Sequence, residues 1–157
     1  MHVTAVRRSA RTISNEDGVT LHPPEALHDV LGTGDVVVIC LPLTDETERL
    51  IDEPAFRAMK SSAYFVTVGR GGVVDEAALL RALREGWIAG AGLDVHAQQP
   101  VPTDSPFFDL PNVIMTPHIS GITRNFQSRL ATLFCENLRR FLRDEPLEYV
   151  VDKRKGY

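Results

Sequence analysis

The run Val36-Val37-Val38-Ile39-Cys40 is apolar without interruption. A strand with one wet face alternates apolar and polar residues. An unbroken run instead reads as a strand covered on both faces in a parallel sheet. Related stretches recur at Tyr64-Phe65-Val66-Thr67-Val68, at Ile88 to Val95 and at Val113-Ile114-Met115, with shorter strands at Val3 to Arg7 and Val19 to Leu21. Helical segments lie between them. Pro23 to Leu31 begins with proline and stops before Gly32. Glu53 to Met59 is short. Asp75 to Glu85 places Ala78, Leu79, Ala82 and Leu83 on one face, and Gly86 ends it. Ser9 to Gly18 and Gln98 to Pro111 read as loops. A long helix from Ile122 to Arg143 carries an apolar stripe of Phe126, Leu130, Leu133, Phe134, Leu138, Phe141 and Leu142. Strand and helix alternate throughout, which predicts an α/β fold with a doubly wound parallel sheet. Residues 1–145 read as one domain and residues 146–157 as a polar tail.

With 157 residues the chain suits one domain with a real core. Its formal net charge of −4 argues against a nucleic-acid partner, because the clusters Arg7-Arg8-Arg11 and Lys153-Arg154-Lys155 are too small to make a basic face. Cys40 and Cys135 form no C-x-x-C pair, so neither a disulfide framework nor a metal site is expected, and a reducing cytoplasm is the natural setting. Met1 to Val6 is too short an apolar run for a signal peptide, and no stretch approaches the roughly 20 apolar residues of a membrane helix.

In a doubly wound sheet, ligands sit at the carboxyl ends of the strands, so the strand-exit loops carry the functional expectations. After the first strand stand Arg7, Arg8 and Ser9, where an NAD-specific domain usually places an acid; the nearest acid is Glu16. Two arginines and a serine suit the 2′-phosphate of NADP, and equally describe two solvated surface cations. The segment Cys40-Leu41-Pro42-Leu43-Thr44 through Thr47 says little by itself. In Val68-Gly69-Arg70-Gly71-Gly72, glycines flank one arginine. Such a loop lets backbone approach a ligand and aims a guanidinium that can grip a carboxylate, or it is a surface turn facing water. In Thr116-Pro117-His118-Ile119-Ser120-Gly121, a histidine leaves a strand just before a helix, a position suited to acid–base work, although a lone histidine is more often structural.

Taken together, these segments resemble the D-isomer-specific 2-hydroxyacid dehydrogenase family. The resemblance spans residues 36–121 and includes Val74-Asp75-Glu76, Gly92-Leu93-Asp94-Val95 with Pro100, and Leu110-Pro111-Asn112-Val113. Each motif is short, but their order and spacing are specific. The resemblance implies a Rossmann-like domain using NADP or NAD, with Arg7, Arg8 and Ser9 favouring NADP. The implied substrate is a small 2-oxo or 2-hydroxy acid, and the complete protein is implied to form a homodimer. By position, Arg70 matches the arginine that binds the substrate carboxylate, and His118 matches the general acid. Asp94 matches the aspartate near the nicotinamide carboxamide. Cys40, Leu41, Pro42, Thr47, Val68, Gly69, Ser120 and Gly121 match cofactor-lining positions. The helix from Ile122 matches one that leads back towards a substrate domain.

Two departures stand out. The family's glutamate, five residues after the aspartate, is Gln99 here, which joins Arg70 and His118 as the third candidate catalytic residue. A glutamate would pair with the imidazolium of His118; a glutamine orients the ring and supplies no charge. Formate dehydrogenases of the same superfamily are similar at this position, so formate oxidation is one alternative, and an inactive NAD(P)-binding regulatory relative is another. The second departure is that the G-x-G-x-x-G loop and its strand do not occur before Val3, as in a truncated product or a late start. In the order 3-2-1-4-5-6 that strand is central. The expectation is an incomplete sheet with open edges at Val3–Arg7 and at Val36–Cys40. The isolated 157-residue chain is accordingly expected to bind NAD(P) weakly, because the glycine turn and helix N-terminus that hold pyrophosphate are missing. Titration calorimetry checks this, and micromolar affinity would overturn it.

Overall fold

The computed structural model describes residues 1–154. Lys155 of the basic cluster and the end of the 146–157 tail lie outside the described residues. The strands are β1 (Val3–Val6), β2 (Ser14–Glu16), β3 (Val19–His22), β4 (Val36–Ile39), β5 (Tyr64–Thr67), β6 (Gly90–Leu93) and β7 (Val113–Met115). The helices are α1 (Leu27–Thr33), α2 (Glu53–Ala58), α3 (Glu76–Arg84) and α4 (Phe126–Leu142), with 3₁₀ turns at Pro24–Ala26, Gly71–Val73 and Pro106–Asp109.

The strands form two sheets. One has the order β1-β3-β2, and the other, β4-β5-β6-β7, is parallel throughout. β1 and β4 each end a sheet, and among the described residues no strand joins them, as expected from the sequence. Cross-strand register assigns the two faces of the larger sheet. Val37, Phe65, Ala91 and Val113 share one face with Ile39, Thr67, Leu93 and Met115. This face meets the helices: Phe56 of α2 packs edge-on against Phe65 at 5.2 Å, and Leu79, Ala82 and Leu83 of α3 complete the core. Val36, Val38, Tyr64 and Ile114 lie on the opposite face and are all exposed.

β4 therefore departs from the sequence reading. The run is apolar, yet Val36 and Val38 are more than half exposed, because β4 pairs only with β5 and no helix among the described residues covers that face. The stripe on α4 behaves likewise, with Phe126, Leu130, Phe134, Leu138 and Phe141 exposed and no residue of the helix buried. A second difference lies in Ser9 to Gly18, read as a loop. It contains β2, which pairs antiparallel with β3 across a turn at Asp17 (φ 52°) and Gly18 (φ 81°). Two successive positive-φ residues close a tight hairpin. Ser14-Asn15-Glu16 is wholly exposed, so no apolar alternation marks it as a strand.

α3 has the best-defined start. The Asp75 side chain accepts the backbone N–H groups of Ala77 and Ala78, an N-cap that satisfies donors the helix cannot pair itself. Ile51 and Val74 form an isolated parallel bridge that ties the segment before α2 to the Arg70 loop. Phe56→Ala is expected to destabilise the domain by about 3–5 kcal/mol, because it empties a fully buried site on the helix-covered face. Chemical denaturation with an unchanged m-value checks it.

Candidate active site at the carboxyl edge of the sheet

Register places the site. Ile39, Thr67, Leu93 and Met115 are mutual partners across β4 to β7, and each is the last residue of its strand. The chain therefore leaves all four strands at one level, and the exits beginning at Cys40, Val68, Asp94 and Thr116 form one continuous edge. Arg7 to Ser9 leave β1 in the other sheet.

Close backbone packing joins the exits. A Cβ on Gly69 would lie 2.5 Å from the Leu41 carbonyl oxygen, and one on Gly71 would lie 2.0 Å from the His96 carbonyl carbon. Both positions accept only a hydrogen, so glycine brings the Arg70 loop against the exits of β4 and β6. Within the β4 exit, Thr47 donates its hydroxyl to the Pro42 carbonyl at 2.7 Å and accepts the Thr44 N–H at 2.8 Å, which closes the segment on itself.

Asp94 holds the loop that carries the histidine. His118 has a left-handed backbone (φ 56°), which is unfavourable for a residue with a Cβ. The carboxylate of Asp94, 4% exposed, accepts the Thr116 hydroxyl and the N–H groups of Ile119 and Ser120, both at 2.9 Å. These bonds span the strained residue on both sides. Burial favours the neutral carboxyl. The hydroxyls of Ser120 and Thr116 and the two backbone N–H groups outweigh it and hold Asp94 well below the usual carboxylate range.

His118 is exposed, and its Nδ1 lies 2.9 Å from Gln99 Oε1. The amide of Gln99 is oriented by its other end, where Nε2 donates to the His96 carbonyl at 3.2 Å. A carbonyl can only accept, so the Gln99 oxygen faces His118, and His118 Nδ1 is the donor. Nε2 of His118 is left for another partner. Arg70 is also exposed; its Nη1 donates to the Gly69 carbonyl at 2.9 Å, and no carboxylate among the described residues pairs with it.

The structure thus brings Gln99 and His118 into contact and places Arg70, Asp94, Ser120, Val68 and the Cys40 to Thr47 segment on the same edge. The arginines after β1 are engaged elsewhere. Arg7 makes a two-pronged contact with Glu16, both bonds at 2.9 Å, and Arg8 meets Glu46 at 3.3 Å. Sequence reasoning did not anticipate the Glu16 pairing, because it depends on the β2–β3 hairpin. It also gave no role to Glu76 or to His96, which lies between Asp94 and Gln99. His96 is buried, and its Nδ1 lies 3.1 Å from Glu76 Oε1.

The family is now decided by comparison. Residues 1–120 match the model of the D-isomer specific 2-hydroxyacid dehydrogenase NAD binding domain. The chain belongs to this family. It is 43% identical over 145 residues to a glyoxylate reductase of Korarchaeum cryptofilum, covering 92% of this chain and 42% of that protein. A D-isomer specific 2-hydroxyacid dehydrogenase from Xanthobacter autotrophicus, solved with NADPH, superposes with a TM-score of 0.87 at 40% identity, over 99% of this chain and 63% of that one. An NADPH-dependent glyoxylate/hydroxypyruvate reductase from Sinorhizobium meliloti, solved with NADP, gives 0.88 at 34% identity, over 99% and 49%. The fold is Rossmann-like, and the chain spans about two fifths of the curated relative's length. No helix among the described residues is long and apolar enough to cross a membrane.

Asp94→Asn is expected to cost about 1–3 kcal/mol at neutral pH, because an amide cannot accept all of these donors without presenting its own N–H groups to some of them. Since the folded-state carboxyl titrates low, the contribution of Asp94 is fully present above its unfolded pKa of about 3.9 and fades as pH falls below that value. The stability gap between Asp94→Asn and the parent should therefore narrow in acid. Denaturant unfolding across pH checks this; a gap independent of pH overturns it.

Proposed function

We propose that this chain is the cofactor-binding and proton-transfer part of an NAD(P)-dependent oxidoreductase that interconverts small 2-oxo acids and D-2-hydroxy acids. One observation carries the reading: His118, with Nδ1 hydrogen-bonded to Gln99, shares the carboxyl edge of the sheet with Arg70, a guanidinium with no carboxylate partner among the described residues. The relatives' names, glyoxylate reductase and glyoxylate/hydroxypyruvate reductase, support the substrate class.

The residues present fit the nicotinamide half of a dinucleotide. Gly69 keeps the floor of the edge low, the Cys40–Leu41 backbone lies against it, and buried Asp94 stands beside Ser120 as an acceptor. For the pyrophosphate, no strand among the described residues lies between β1 and β4 in a sheet to carry a glycine-rich turn there. When bound, the dinucleotide supplies hydride exchange at its nicotinamide ring. Pro42, Thr47, Val68, Gly69, Asp94, Ser120 and Gly121 would hold it. Arg7, Arg8 and Ser9 stand at the exit of β1, where a 2′-phosphate would compete with Glu16 for Arg7, so the preference for NADP requires that ion pair to open.

Arg70 would grip the substrate carboxylate through two parallel hydrogen bonds and orient the neighbouring carbonyl. In reduction, the imidazolium of His118 donates its Nε2 proton to the carbonyl oxygen as that oxygen gains charge. In oxidation, the neutral ring accepts the hydroxyl proton at Nε2. Gln99 holds the Nδ1 proton in place in both directions and adds no charge. The two free cysteines, Cys40 and Cys135, suit a reducing cytoplasm.

Loss of NAD(P)H absorbance with glyoxylate, hydroxypyruvate and pyruvate, run on the protein with any residues that precede this chain in frame, tests the reading. Turnover supports it; no turnover with any 2-oxo acid, or turnover of formate alone, overturns it. Arg70→Ala should raise the KM for the 2-oxo acid roughly 100-fold and leave the Kd for NAD(P)H within a few-fold, since one charged partner of the substrate is lost. Gln99→Glu should carry the reduction activity to higher pH, because a carboxylate at Nδ1 favours the imidazolium that donates the proton. An unchanged pH–rate profile would remove Gln99 from the role assigned to it.

A further inference from the structure

The carboxylate of Glu76 performs two tasks at one oxygen. Oε1 accepts the backbone N–H of Ala97 at 3.1 Å and lies 3.1 Å from Nδ1 of His96. Glu76 is the first residue of α3 and follows directly on the Arg70 loop. His96 lies in the exit of β6, between Asp94 and Gln99. The contact therefore joins the segment holding the substrate-gripping arginine to the segment holding the partner of His118.

His96 is 6% exposed and packs its ring against Phe107, at 6.0 Å between centroids. Its Nε2 is buried and has no hydrogen-bond partner among the described residues. A buried N–H without an acceptor is costly, so the ring is best satisfied with its proton on Nδ1, donated to Glu76. Burial alone would favour a neutral Glu76. The hydrogen bonds from His96 and from the Ala97 N–H outweigh it and hold the carboxyl below its ordinary range. The Glu76 carboxylate and the His96 Nδ1–H thus complement each other.

The backbone of His96 is fixed from a second side, where Gly71 packs against its carbonyl so closely that no Cβ fits. That same carbonyl accepts the Gln99 amide N–H, and this bond turns the Gln99 oxygen towards His118 Nδ1. If the His96–Ala97 peptide rotates, Gln99 loses its anchor. Its amide can then present either end to His118, and the proton on the catalytic ring is no longer held at Nδ1.

We propose that Glu76 and His96 form a positioning unit that acts through the His96 carbonyl and Gln99 to keep the proton of neutral His118 on Nδ1, leaving Nε2 facing the substrate. The proposal rests on the reading of His118 as the proton-transfer residue. Neither Glu76 nor His96 touches the reacting atoms.

Nitrogen-15 imidazole spectra of the 157-residue chain, at a pH where His118 is neutral, provide the test. In the parent chain, His118 should show a protonated Nδ1 and an unprotonated Nε2. In Glu76→Ala the two nitrogens should move towards a common averaged shift, and His96→Phe, which keeps a ring against Phe107 but removes the Nδ1–H, should move them in the same direction. In a Gln99→Ala background, Glu76→Ala should produce no further change, because its route to His118 is already cut. In turnover, Glu76→Ala should lower kcat about tenfold with the cofactor KM unchanged.

A folded Glu76→Ala whose His118 nitrogens match the parent overturns the proposal. If Glu76→Ala does not fold, a folded His96→Phe with parental His118 shifts overturns it equally. The spectra require no catalysis, so a parent protein that turns over no 2-oxo acid counts against the proposed function and leaves the tautomer result to judge Glu76 and His96.

Discussion

The common end point of four parallel strands is the constraint on which the site depends. Because Ile39, Thr67, Leu93 and Met115 lie side by side, four loops far apart in sequence begin at one level. A one-residue slip of a strand would exchange its two faces, burying Tyr64 or Val66 against the helices in place of Phe65 and Thr67. The Phe56–Phe65 contact and the α3 residues Leu79, Ala82 and Leu83 oppose such a slip. Hydrophobic packing on one face of the sheet therefore sets the positions of polar groups at its edge.

Backbone chemistry then converts that edge into a site. Glycine at 69 and 71 allows two loops to touch where any other residue would collide, and Asp94 gathers donors around the left-handed turn at His118. The result is a histidine with a defined donor nitrogen, reached through Gln99 and ultimately through Glu76. Much of the polar machinery is an ordered chain of hydrogen bonds in which one fixed acceptor, the His96 carbonyl, decides which end of an amide faces the ring. Gln99, a neutral amide, makes this contact without supplying a charge.

The open regions of the molecule follow from the same topology. Among the described residues, β1 and β4 present unpaired edges, one face of the larger sheet shows Val36, Val38, Tyr64 and Ile114, and α4 exposes Phe126, Leu130, Phe134, Leu138 and Phe141. Apolar surface of this extent departs from the usual mixed surface of a soluble domain. The chain covers about two fifths to three fifths of the length of these relatives.

The amino-acid sequence by itself determined the alternation of strands and helices and the apolar face of α3, and it singled out Arg70, Gln99 and His118 as candidates, because apolar period, capping residues and short motifs are local properties. The Asp17–Gly18 turn was local too, but the exposed polar strand before it carried no period to read. What only the tertiary structure decided were long-range pairings: Arg7 with Glu16, Arg8 with Glu46, Asp94 with the histidine turn, and Glu76 with His96 and Ala97. Burial was decided there as well. The run at Val36 to Cys40 has the composition of a covered strand, but whether it is covered depends on a neighbour, and a strand's sequence does not contain its neighbour.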